Sequence, residues 1–148
     1  MAPQGVHGQK PWTEAGSQES LTIQKAHDAL LAADAVLDKQ AEDVRILDVR
    51  IVSGVTDYFV IATARSRPQV LAIVEHLEQA FRRAGKRVHH IEGLGAPGAS
   101  RSRQPGEGFL WVLIDCGSVV VHLFHPASRD FYQLERLWAD APRIDPTV

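Results

Sequence analysis

Apolar positions along this chain switch between a helical and a strand period, and the switches mark out its elements. Ala26, Leu30, Ala33 and Leu37 recur at steps of three and four, so a helix is expected from Leu21, with Ser20 as its N-cap. The pattern then shortens. Val44 to Ile51 reads as a strand that buries Val44, Ile46 and Leu47, and Ser53-Gly54 marks a turn. Asp57 to Thr63 follows as a second strand, whose unbroken run Tyr58-Phe59-Val60-Ile61 suits a strand covered on both faces. Ser66 and Pro68 open a second helix. Its stripe is Val70, Val74, Leu77 and Phe81, and Gly85 stands ready to close it. A short third strand is expected from Val88 to Ile91, before Glu92-Gly93. Phe109 to Ile114 and Val119 to Phe124 read as two strands joined across Asp115-Cys116-Gly117-Ser118. A last helix capped by Ser128 would place Phe131, Leu134 and Trp138 on one side.

This order predicts one α/β domain, a mixed sheet of about five strands flanked by helices. The domain is expected over residues 21–142. Residues 1–20 are rich in Gly, Gln, Pro and Ser and read as a disordered tail. Residues 143–148, beside Pro142 and Pro146, read as a second tail. Residues 94–108, dense in Gly, Ser and Pro and carrying Arg101 and Arg103, read as a long exposed loop.

Composition narrows the function classes. The chain has 148 residues, 45% of them hydrophobic and 23% charged, which is ordinary for a globular domain. A formal net charge of −2 gives no global field toward nucleic acid. Arg82, Arg83, Lys86 and Arg87 lie around the end of the second helix, where complementing the helix dipole already accounts for them. Cys116 is the only cysteine, so neither an internal disulfide nor a multi-cysteine metal site is available. His89, His90, His122 and His125 show no zinc spacing, and His122 in its strand suits a hydrogen-bonded structural residue better than a base. No metal and no cofactor are expected. No apolar run approaches a membrane span, and the N-terminus has no secretory core, so the cytoplasm is the expected compartment.

Two sets of side chains alternate along the strand from Phe109. Phe109, Trp111, Leu113 and Asp115 point one way, and Leu110, Val112 and Ile114 the other. Trp111 therefore belongs either to the core or to an interface, and the pattern alone does not choose. Asp115 suits a turn and could also leave an oxygen for a partner. A nucleotidyltransferase is the enzymatic alternative, since Ser53-Gly54 precedes Asp57 and Asp115 lies on another strand. The turn has its residues in reversed order, however, and no Asp-x-Asp pair follows it.

The strongest signal is the order of several short motifs. Lys39-Gln40-Ala41-Glu42-Asp43-Val44, Ser53 to Ile61, Glu92-Gly93, Trp111 to Asp115, Val121 to Phe124 and Arg129 to Trp138 together resemble the ribosomal silencing factor family, also called Iojap-like. The resemblance covers roughly residues 21–142, although the 94–108 loop is longer than the family usually has. It implies a nucleotidyltransferase-like topology without the activity. It implies a translational repressor that binds a large-subunit ribosomal protein at the intersubunit face and blocks subunit association when nutrients run short. The residues expected to bind that protein are Glu92, Trp111, Asp115, Tyr132 and Glu135, with no catalytic residue among them. A minor contact with ribosomal RNA and a homodimer of the free protein complete the expected partners; no membrane is among them.

Overall fold

The structure is a computed structural model that describes residues 17–54, 56–94 and 109–144. The tail expected at 1–20 lies outside the described residues up to 16, and so do residues 95–108 of the long loop. Among the described residues the elements run in the order α1 (Ser17–Asp38), β1 (Glu42–Asp48), β2 (Tyr58–Thr63), α2 (Arg67–Arg83), β3 (His90–Glu92), β4 (Trp111–Asp115), β5 (Val119–Phe124), α3 (Pro126–Tyr132), α4 (Leu134–Leu137) and β6 (Arg143–Ile144).

The strands form one six-stranded sheet in the order β3-β4-β5-β2-β1-β6. β2 and β5 pair in parallel at its centre, and every other pair is antiparallel. Both central strands are buried along their whole length, as their unbroken apolar runs require. α1 and α2 cover one face of the sheet, where Ile46, Tyr58, Val60, Val112, Ile114, Val119, Val121 and Leu123 meet them. The opposite face carries a smaller cluster of Leu47, Val49, Phe59, Ile61, Val120 and Phe124 under Leu134 and Ala141.

α2 forms where its stripe predicts. Val70, Val74, Leu77 and Phe81 are buried, and Ser66 caps the helix by accepting from the Gln69 N–H. Gly85 takes φ +78 just beyond its end, and the Lys86 N–H reaches the Phe81 carbonyl at 2.8 Å. That pairing closes the helix as a glycine cap does.

Three expectations need correction. α1 starts at Ser17, ahead of Ser20, and its inward stripe is Ala29, Ala32, Ala33 and Val36, with Leu37 39% exposed. Small alanines let the helix lie close to the sheet, so its packing face lacks the large residues that a stripe search favours. A sixth strand forms at Arg143–Ile144, read above as tail, and pairs with Ile46 and Leu47. Two residues carry no period, and only the free edge of β1 determines their conformation. The single last helix is in fact two. Gln133 adopts φ 49 and ψ 52 between α3 and α4, and His125 rather than Ser128 caps α3. The break turns Phe131 outward to 79% exposure while Leu134 stays buried at 8%.

Candidate docking face

Within β4 the alternation divides the side chains. Val112 and Ile114 are fully buried under the helices, while Trp111, Leu113 and Asp115 lie on the opposite face, half-buried. Phe109 departs from the expected set. It precedes the strand, beyond a bend at Leu110, and packs into the helix-side core. α3 and α4 cover the second face only over the centre of the sheet, where Leu134 and Trp138 join its cluster. Toward the β3 edge that face is left open by the described residues.

Register brings the acids to this opening. Glu92 pairs with Leu113 and His90 with Asp115, so these side chains share one face. Glu92, Gly93, Trp111 and Leu113 line a concavity of about 280 Å³. Gly93 cannot be replaced without strain: its φ is +103, and a Cβ there would lie 2.2 Å from the Trp111 carbonyl oxygen. The glycine thus lets the chain leaving β3 pass tightly over β4.

Trp111 is held from several sides. Its ring lies 4.8 Å from Phe124 and 5.2 Å from Tyr132 between centroids. Its Nε1–H donates to His122 Nδ1 at 3.1 Å. Tyr132 is 48% exposed, and Phe131 meets it edge-on at 5.1 Å. An aromatic ridge of Trp111, Tyr132 and Phe131 therefore borders the open face. Large aromatic surface with few rotatable bonds is what interface centres favour.

Two carboxylates share this face of the sheet. Glu92 is exposed and pairs with His90 at 2.9 Å. Asp115 Oδ1 accepts from the Gly117 N–H at 2.8 Å, so it does serve its hairpin turn. Glu135 stands apart from them. It engages the buried Arg129 through both oxygens, at 2.8 and 3.2 Å. Arg129 also donates to Thr63 Oγ1 at 2.8 Å and lies 3.6 Å from Asp43. This group lines a separate polar cleft with Glu42, Arg65 and Arg136. The structure thus brings Glu92, Trp111 and Tyr132 together, sets Asp115 on the same face at the far end of β4, and leaves Glu135 in the separate cleft.

Leu113 and Phe131 also border this face and were not among the residues expected to bind. Alternation already put Leu113 beside Trp111, whereas Phe131 is exposed only because of the break at Gln133. Burial lowers the His122 pKa to about 4, so the ring is neutral at pH 7. Burial, then the charges of Asp115 and Asp28, push the Cys116 thiol up to about 12, too high for a nucleophile. Among the described residues, no group of three or more His, Cys, Asp or Glu could hold a metal ion. None of the described helices is long and apolar enough to cross a membrane.

Comparison with known proteins identifies the lineage of this fold. The family described as "Ribosomal silencing factor during starvation" matches residues 22–148. The chain belongs to the ribosomal silencing factor family. The ribosomal silencing factor of Bacillus subtilis is 40% identical over 115 residues, covering 78% of this chain and 87% of that protein. That of Halalkalibacterium halodurans is 39% identical over 115 residues, covering 78% and 88%. A crystal structure from Chromobacterium violaceum superposes with a TM-score of 0.64 at 31% identity, over 77% of this chain and 85% of that one.

Proposed function

We propose that this silencing factor represses translation by docking on the large ribosomal subunit. It binds a ribosomal protein at the face that meets the small subunit, and so blocks subunit association when nutrients are scarce. The observation that carries this reading is the second sheet face toward the β3 edge, where Trp111 and Leu113 lie beside Tyr132, with Glu92 across from Leu113 and Asp115 at the far end of β4. An apolar centre with a charged rim suits a protein partner better than bare RNA. A minor contact with ribosomal RNA, a homodimer of the free chain and work in the cytoplasm belong to the same reading.

The chain acts by occupying a surface, without catalysis. The Ser53-Gly54 turn that could have cradled a phosphate is engaged with its own backbone: Ser53 N–H donates to the Val49 carbonyl, and Ser53 Oγ accepts from Thr56 N–H. A nucleotidyltransferase-like topology is then kept without the chemistry.

Substitutions on the face test the reading. Trp111→Ala removes an interface anchor, which typically costs about 2 kcal/mol or more. Binding to isolated large subunits should fall by more than roughly tenfold, at low and high salt alike. Asp115→Asn and Glu92→Gln should weaken binding less, and their effects should shrink as salt rises. The opposite pattern, a collapsed melting temperature for Trp111→Ala with normal binding by both acid variants, would place the docking surface elsewhere.

A further inference from the structure

His122 occupies a position where an apolar side chain would cost less. It is 4% exposed, on the central strand β5. The Phe59 ring stands nearly perpendicular to it at 4.6 Å, and the Phe124 ring lies 6.5 Å away. Nδ1 accepts from the Trp111 indole, so the neutral ring must carry its proton on Nε2. Among the described residues that Nε2 is buried without a hydrogen-bond partner. A buried, unpartnered N–H destabilises the fold, and a leucine here would not incur that cost. What the histidine contributes is therefore the acceptor at Nδ1.

The consequence lies on the open face. Nε1–H is the only polar group of a tryptophan side chain. With it turned inward to His122, the part of Trp111 that reaches the concavity beside Leu113 is carbon. We infer that His122 is a positioning residue for the docking face: it fixes the indole so that Trp111 receives an apolar side chain of the partner and donates no hydrogen bond to it. The inference rests on the docking reading given above and specifies the chemistry of its centre. The low proton affinity of His122 supports the geometry, because an imidazolium would set a second donor against the indole N–H.

The unaltered protein gives the first test. The Trp111 indole proton, followed by NMR and assigned with Trp111→Phe, should exchange with solvent at least roughly tenfold more slowly than in the urea-denatured chain. Free exchange in the folded protein overturns the inference. The second test compares His122→Asn, which returns an acceptor where Nδ1 stood, with His122→Leu, which does not. His122→Leu should speed indole exchange and weaken binding to isolated large subunits by roughly tenfold, whereas His122→Asn should stay within about threefold of the parent. A folded His122→Leu that binds like the parent refutes the positioning role. Trp111→Ala separates the two claims. Loss of binding there but not in His122→Leu refutes only the role of His122, whereas normal binding by Trp111→Ala refutes docking at this face and the inference with it. If neither His122 variant folds, the exchange rate in the unaltered protein decides.

Discussion

Glu135→Ala distinguishes an internal carboxylate from one that faces a partner. In the fold this side chain is 21% exposed and Arg129 is 9% exposed, and the two share a bidentate contact across the break at Gln133. Removing one partner of a fully buried pair costs about 3–5 kcal/mol, because the other charge is stranded. Two features reduce that here. Asp43 remains 3.6 Å from the guanidinium, and Thr63 Oγ1 still accepts from it at 2.8 Å. A destabilisation of about 2 kcal/mol is expected. For a domain of this size that is a fall of about 4–8 °C in melting temperature. Replacing both residues, with Arg129→Met and Glu135→Leu, should recover much of the loss because no charge is left stranded. Thermal denaturation followed by circular dichroism measures both, with large-subunit binding titrated well below the melting range. Binding should hold as long as the protein is folded. An unchanged melting temperature with weakened binding would refute this reasoning and return Glu135 to the partner.

Two further perturbations follow from the site. His122 has a folded-state pKa lowered to about 4 against an ordinary 6.5, so between those values the unfolded chain binds the extra proton and stability rises with pH. Acidification from pH 7 to below the folded pKa should remove about 3 kcal/mol, and urea titrations should show that slope lost in His122→Asn; equal slopes in both proteins would contradict it. Gly93→Ala combines φ +103 with a 2.2 Å approach to the Trp111 carbonyl, and should destabilise by on the order of 3 kcal/mol with NMR shift changes concentrated at β3 and β4; an unaltered melt would show that this edge yields easily.

Much of the fold was legible because its central elements obey one period each. The runs at Tyr58–Thr63 and Val119–Phe124 became the two fully buried strands, and the stripe from Val70 to Phe81 became the buried side of α2. Alternation along β4 separated Trp111 from Val112, although it did not choose between core and interface for the tryptophan. The failures lie where tertiary contacts override local pattern. Gln133 takes a left-handed conformation that a non-glycine residue rarely adopts, so the break between α3 and α4 had no local signal. β6 exists only because β1 has a free edge. Of the site, Glu92 and Trp111 come together through the β3–β4 register. The pairing of Arg129 with Glu135 depends on the turn at Gln133, and that of Trp111 with His122 on how β4 and β5 align. No spacing within one segment encodes either.

The central claim is occupancy of the intersubunit face, and one sedimentation experiment tests it most directly. The purified chain is mixed with isolated large subunits, then challenged with small subunits, and each fraction of the gradient is assayed for the chain. It should travel with large subunits, be absent from joined ribosomes, and shift subunits toward the unjoined fractions in proportion to its occupancy. Trp111→Ala should neither travel with large subunits nor shift subunits toward the unjoined fractions. Equal amounts of the chain on joined ribosomes and free large subunits, or normal joining at saturating occupancy, would contradict the claim.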